Sequence, residues 1–244
     1  MNVLLLHGQP GSGGDWAGVR RELETRGFSV LAPDRPGYGR SGLPAGGFEH
    51  NAQALAELLD EPAVVAGHSW GAGVALAMAR LYPDRVSSIV LISPVTPGDR
   101  LGRIDRALAA RHVGPLMARA GFLGAGAVLT RTGLRRRLER AMPGSDPKRW
   151  SEVPRAWRSF WIEQRVLVED LSSLGGAVAA PATVVLGARD RVIDVRSARR
   201  YASESGARLV ELADAGHLLP MQRPVEVADA IATASAIYAS SGAR

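Results

Sequence analysis

The chain has no cysteine. That excludes disulfides, thiolate metal sites and a cysteine nucleophile, and leaves the redox compartment open. Lysine is nearly absent: Lys148 stands alone among 30 basic residues, set against 24 acidic ones. The formal charge of +6 and a pI near 10.6 admit an anionic partner. Arginine in place of lysine, beside abundant alanine and glycine, reads instead as the coding bias of a GC-rich genome. Aromatics make up only 5% of the residues and are not interleaved with the basic ones. No nucleic-acid motif accompanies the charge, so nucleic acid is set aside as a partner. Nowhere is there an apolar run long enough to cross a bilayer. The start, Met1 to His7, has no positive flank, and its apolar run is too short for a signal peptide. No two histidines have ligand spacing and no His-Glu-x-x-His occurs, so neither a metal nor a cofactor is implied. The reading is a soluble, cytoplasmic protein that contacts no membrane, takes a small-molecule substrate and acts as a monomer or homodimer.

What is present is organised around Val64-Val65-Ala66-Gly67-His68-Ser69-Trp70-Gly71-Ala72-Gly73. A β-branched run leads into Gly-x-Ser-x-Gly and then into an Ala/Leu-rich helical stretch. The order is strand, sharp turn, helix. A serine at the tip of that turn stands exposed above the sheet. It is expected to have φ above zero, a strain of about 1–3 kcal/mol. Gly67 and Gly71 are small because strand and helix meet there with no room for Cβ atoms. The helix N-terminus aims unpaired N–H groups at the same spot.

A length of 244 residues suits one α/β domain with an insertion. Asn2–Leu6, a continuous apolar run, and Ser29–Ala32, Ala63–Ala66, Val86–Ile92, Ala182–Leu186 and Arg208–Leu212 read as strands. Helices are expected from Asp15 to Thr25, His50 to Leu59, Val195 to Ser205 and Pro224 to Tyr238, besides the one after Ser69. About six strands alternating with helices make a doubly wound, mostly parallel sheet. The alternation stops after Pro94. From residue 95 to 176 only helices are legible, an insertion between core segments 1–94 and 177–244. Arg131, Arg135, Arg136, Arg137 and Arg140 within it read as a solvated face. Trp150, Trp157, Phe160 and Trp161 crowd together, and the last three share one helical face. That face suits either the packing of the insertion or the lining of a substrate pocket.

Sites in such sheets form beyond the carboxyl ends of the strands. His7, Ser69, Asp190 and His217 each lie just past one. A serine hydroxyl needs a base, and the base needs an orienting acid. His217 is the best base among the five histidines. His68 is expected to point away from the serine, His7 to bond backbone in its loop, and His50 and His112 to lie far from the rim. Asp190 is the first choice of acid and Asp194 the reserve. Asp214 is too near His217 along the chain. Asp34 reads as a turn carboxylate bonding backbone amides. Two backbone donors are needed for an oxyanion, and Trp70 and Gln9 supply them.

These motifs together resemble the α/β-hydrolase superfamily, in its capped small-molecule branch. The resemblance rests on His7-Gly8-Gln9-Pro10-Gly11-Ser12-Gly13, Asp34-Arg35-Pro36-Gly37-Tyr38-Gly39-Arg40-Ser41, Gly67-His68-Ser69-Trp70-Gly71, Gly187-Ala188-Arg189-Asp190 and Gly216-His217. It implies that residues 95–176 are a cap. Relatives that open epoxides or dehalogenate carry aspartate at the elbow, where this chain has Ser69. The insertion also lacks the tyrosine that epoxide opening would want. What remains is acyl transfer to water, on a carboxylic ester or lactone of a small hydrophobic acid. Carbon–carbon bond hydrolysis, perhydrolysis, or a non-hydrolytic cyclase or ligand-binding role would use the same pocket. One departure is that the His-Gly loop starts at residue 7, where such chains usually have two further strands first. The shortened N-terminus is read as native or as a misplaced start codon. Either way Ser29–Ala32 is expected at the sheet edge, with Asn2–Leu6 inside it.

Overall fold

The computed structural model describes residues 1–131, 134–144, 146 and 155–241, except the side chains of 129–131 and 241. Trp150 lies outside the described residues, as does the side chain of Arg131. Six parallel strands form one sheet: β1 (Asn2–Leu6), β2 (Ser29–Leu31), β3 (Ala63–His68), β4 (Val86–Ile92), β5 (Ala182–Gly187) and β6 (Arg208–Leu212). Their order is β2-β1-β3-β4-β5-β6. β2 is indeed at an edge with β1 inside, paired Asn2 to Ser29 and Leu4 to Leu31. β3 and β4 are buried at every residue, the signature of strands covered on both faces. β6 at the other edge keeps Arg208 and Glu211 exposed.

The two-residue period of the strands divides the core into two layers. Leu4, Leu6, Val65, Ile89, Leu91, Val184 and Leu186 face α2 (Phe48–Ala56), α3 (Trp70–Leu81) and, through Ala198 and Ala202, the helix Val195–Ser205. Val3, Leu5, Val64, Ala66, Val90 and Val185 face α1 (Ala17–Thr25) and the last helix, Pro224–Ser241, through Val19, Leu23, Val227 and Ile231. α3 is buried from Trp70 to Ala79. Its run of glycine and alanine lets its axis lie against the sheet.

Between β4 and β5 come α4 (Arg103–Ala109), α5 (Gly114–Arg131), α6 (Leu134–Ala141) and α7 (Trp157–Asp170). Arg135, Arg136, Arg137 and Arg140 are exposed on α6, as expected of a solvated face. Residues 144 and 146 tie the insertion back to the core: Gly18 N donates to Gly144 O at 2.8 Å and Asp146 N to Gly14 O at 2.9 Å. After β5 follow α8 (Val195–Ser205), α9 (Leu219–Gln222) and α10 (Pro224–Ser241). Helix limits differ from the sequence reading by two or three residues: α1 starts at Ala17, α2 spans Phe48–Ala56 and α10 runs on to Ser241. α2 starts at Phe48 because Gly47, in extended backbone, caps it and buried Phe48 stacks on Trp70 with ring centroids 4.4 Å apart. The short α9, which the sequence did not disclose, begins at the Leu219-Pro220 pair, where Pro suits a helix's first turn. Among the described residues no helix is long and apolar enough to cross a membrane.

Candidate active site

The turn between β3 and α3 holds Ser69 at φ 53° and ψ −118°. The strain is sustained by what surrounds it. Ser69 N donates to Ile92 O at 2.9 Å, and Ala72 N donates to Ser69 O at 3.0 Å. A Cβ on Gly71 would sit 2.6 Å from His7 O, and one on Gly67 would sit 2.6 Å from the Ala72 Cα. Both glycines are therefore steric requirements of the strand–helix approach.

His217 arrives on the loop after β6 and Asp190 on the loop after β5. The two loops are laced together by backbone bonds, Arg189 N to Ala215 O and Ala188 N to Leu212 O, both 2.9 Å. At Gly187 a Cβ would meet Ala215 O at 2.5 Å, so the loops close only over a glycine. The structure brings Ser69, His217 and Asp190 into one line. His217 Nε2 lies 3.1 Å from Ser69 Oγ, and His217 Nδ1 lies 2.8 Å from Asp190 Oδ2. The other carboxylate oxygen, Asp190 Oδ1, accepts from the amides of Val192 at 2.8 Å and Ile193 at 3.3 Å. Burial pushes the Asp190 carboxyl up, but the hydrogen bond and charge of His217 and the two amides outweigh it, and the group titrates below the ordinary aspartate range. Ionised Asp190 holds the imidazole so that the proton sits on Nδ1 and Nε2 is free to accept from the serine.

The remaining candidates sort themselves by their partners. Asp194 caps α8, accepting from Arg196 N at 3.0 Å and Ser197 N at 3.4 Å, and so is not available as the acid. Asp214 pairs with Arg223 at the surface. Asp34 accepts from Gly13 N at 2.8 Å and Arg40 N at 2.9 Å, the turn role its sequence suggested. His7 Nε2 accepts from Arg35 N at 3.0 Å, which puts its proton on Nδ1, 2.9 Å from Gly8 O. His50 bonds Pro44 O, and His112 is exposed. His68 departs from expectation. It does not point away from the site: its ring lies 4.9 Å from that of His217, and its Nε2 reaches His217 O at 2.9 Å. As the last residue of β3 it faces the neighbouring base loop, whose backbone it braces.

Gln9 and Trp70 both border Ser69. Trp70 opens α3, where an N–H has no helical acceptor. The Gln9 side chain donates to Phe160 O at 3.1 Å and to Gln164 Oε1 at 3.3 Å, both on α7. Two cavities flank the serine. One of about 250 Å³ is lined by Leu101, Leu108, Phe160, Leu167 and Ile193, with Gln164 and Asp105 among its polar members. The other, about 230 Å³, is bounded by Pro10, His68, His217, Leu218 and Met221. A larger hollow of about 600 Å³ near Pro97, Arg200 and Tyr201 touches none of these groups. Of the three aromatics on α7, Phe160 lines the cavity of about 250 Å³ at Ser69. Trp161 sits against Gly114 and under Arg165, and Trp157 under Arg158. The shared helical face is turned toward α4 and α5, where Phe160 also meets Phe122 at 5.2 Å.

Sequence reasoning missed one buried group. Arg35 is fully buried, and its guanidinium pairs with Glu163 of α7 at 2.5 Å. Tyr38 Oη also donates to Glu163 at 2.5 Å. Burial, with Glu163 alongside, raises the Tyr38 hydroxyl far above its ordinary range, so it remains a donor. An arginine in a Pro/Gly turn reads as exposed. Its one sequence signal was its place beside Asp34 in the turn motif.

With this geometry in view, the chain can be set beside known proteins. The sequence profile of the alpha/beta hydrolase family matches residues 3–230. The chain belongs to that family. This alpha/beta hydrolase is 31% identical over 263 residues to lipase LipV of Mycobacterium tuberculosis, covering 94% of this chain and 91% of the relative. It is 41% identical over 102 residues to a non-heme chloroperoxidase of Streptomyces lividans, covering 39% of this chain and 37% of that one. Its fold is that of a thermophilic esterase from Thermogutta terrifontis, with a TM-score of 0.69 at 23% identity, over 98% of this chain and 90% of that one. Membership makes the protein a hydrolase enzyme.

Proposed function

We propose that this hydrolase cleaves a carboxylic ester or lactone of a small hydrophobic acid, with Ser69 as nucleophile, His217 as general base and acid, and Asp190 as the orienting group. His217 Nε2 takes the hydroxyl proton as Ser69 Oγ attacks the carbonyl carbon. The tetrahedral oxyanion faces the amides of Gln9, in the loop after β1, and of Trp70, which follows the nucleophile. His217 then protonates the departing alcohol, leaving an acyl-enzyme. Water, deprotonated by the same imidazole, releases the acid.

The observation that carries this reading is the 3.1 Å approach of His217 Nε2 to the hydroxyl of a serine held at φ 53°. A strained serine, buried but open to the cavities beside it, with a base in reach and an ionised acid behind that base, has no evident use in a passive binder. The small cavities at Ser69, about 250 and 230 Å³, suit a short acyl chain on one side and a compact leaving group on the other. In this reading residues 95–176 are the cap, between core segments 1–94 and 177–244. The protein acts in the cytoplasm on a small molecule, as a monomer or homodimer.

The likeness to a chloroperoxidase favours one second reading, in which hydrogen peroxide replaces water on the acyl-enzyme and releases a peracid. A fluorophosphonate probe tests the common core of both. Labelling at Ser69, lost in His217→Ala, is expected; absence of label would leave a binder or a cyclase. A panel of p-nitrophenyl esters graded by acyl length, assayed with and without peroxide, then separates the two hydrolytic outcomes.

A further inference from the structure

All five N–H donors of the Arg35 guanidinium are used, and they converge on three separate pieces of chain. Nε donates to His7 O at 2.7 Å and Nη2 to Gly8 O at 3.1 Å. Nη1 donates to Asn51 Oδ1 at 3.1 Å and to Glu163 Oε1 at 2.5 Å, and Nη2 to Glu163 Oε2 at 3.3 Å. Both Arg35 and Glu163 have no exposed side-chain surface. A buried ion pair is a poor source of net stability, because desolvation offsets the attraction. Its value lies in the geometry it imposes.

That geometry bears on the oxyanion donor. Gly8 C=O and Gln9 N–H belong to one planar peptide unit, so fixing the carbonyl fixes the direction of the amide. Arg35 Nη2 and the protonated Nδ1 of His7 both address that carbonyl. The guanidinium also lies 4.5 Å from the centroid of the Trp70 ring, whose residue carries the second amide. α7 therefore grips residue 9 twice: directly at its side chain, through Phe160 O and Gln164, and at its backbone through Glu163, Arg35 and Gly8.

We infer that Glu163 is a positioning residue of the hydrolytic reaction. Through Arg35 it orients the Gly8–Gln9 peptide, so that the oxyanion donors are aligned only while α7 sits on the core. This rests on the serine-hydrolase reading above. The helical insertion then supports transition-state stabilisation as well as shaping the pocket.

Glu163→Gln keeps the shape and removes the charge. Arg35→Met/Glu163→Leu replaces the pair with apolar groups and avoids stranding a buried charge. Activity on a short p-nitrophenyl ester is measured as kcat per serine titrated to completion with fluorophosphonate, which counts only folded sites. Both variants are expected to lose about 10- to 100-fold in kcat with KM within about threefold, and to be labelled correspondingly more slowly. Glu163→Asp is expected to lie between these variants and the unmodified protein. Unchanged kcat and labelling rate per titrated serine would overturn the inference, whatever happens to melting temperature. Failure of both main variants to fold would do so too, because the pair would then be a requirement of the fold. If the unmodified protein is not labelled at Ser69, the hydrolase reading itself fails. If it is labelled and the variants match it, only the positioning role is lost.

Discussion

Ser69 Oγ and His217 Nε2 lie 3.1 Å apart although 148 positions separate them in the chain. Three loops, after β3, β5 and β6, bring the nucleophile, acid and base to one rim of the sheet. The parallel order β3-β4-β5-β6 means that all three leave their strands at the same end. The site is a consequence of strand direction before it is a matter of side-chain identity.

Replacing the serine separates chemistry from strain. Ser69→Ala is expected to retain the fold and lose at least about 10³-fold in ester turnover. Ser69→Gly is expected to be equally inactive but to unfold at higher denaturant, because only glycine is at ease at φ 53°. The gain over Ser69→Ala should be about 1 kcal/mol. Urea unfolding of the two variants checks this, and equal midpoints would show that the turn stores no strain.

Much of this arrangement was legible in the chain. Each of the six strands falls within a residue or two of its expected span, and the inner ones were the plainest, because a strand buried on both faces has to be apolar throughout. Ser69, Asp190 and His217 were legible because a rim position after a strand leaves few roles for a polar side chain. Arg35 and Glu163 were not, since nothing local marks a charge whose partner comes 128 residues later. The face of Trp157, Phe160 and Trp161 left packing and pocket lining both open for a related reason. Helical period tells which residues share a face, but not which neighbour that face meets.

Asp190 contributes a pH dependence whose sign follows from its environment. Its folded-state pKa lies below the unfolded value, so it contributes stability in full above the ordinary aspartate pKa of about 3.9. That contribution is lost as the pH falls through the lower folded value. Asp190→Asn lacks it at every pH. The stability gap between the two proteins should therefore be widest near neutrality and narrow as acid is added below about pH 4. Chemical denaturation in steps from pH 7 to pH 3 measures it, and a constant gap would contradict the lowered pKa. The same variant should lose about 10²- to 10⁴-fold in kcat, because an amide at 190 no longer selects the Nδ1-protonated imidazole.

Acyl-chain preference should respond to one of the α7 aromatics only. Phe160 lines the cavity beside Ser69, so Phe160→Ala enlarges it and should move the optimum toward longer acyl chains. Trp157 does not reach that space, and Trp157→Ala should leave the chain-length profile in place. If the two profiles shift together, the insertion as a whole, and not Phe160, sets the depth of the pocket.

The closure of acid and base loops depends on the absence of one carbon. A Cβ on Gly187 would press on Ala215 O at 2.5 Å, and that carbonyl accepts the Arg189 amide that binds the two loops. Backbone offers no flexible side chain to swing aside, so the loop carrying His217 must move. Gly187→Ala is expected to cost about 1–3 kcal/mol of stability, as overpacking does. Its effect on turnover should be larger than that implies. A base displaced by an ångström from the nucleophile forfeits about 10²-fold in rate, while the protein remains folded. Calorimetric melting paired with kcat per titrated serine reads both quantities. A variant that melts lower yet turns over normally would mean that the Ser69–His217 approach tolerates more slack than its geometry implies.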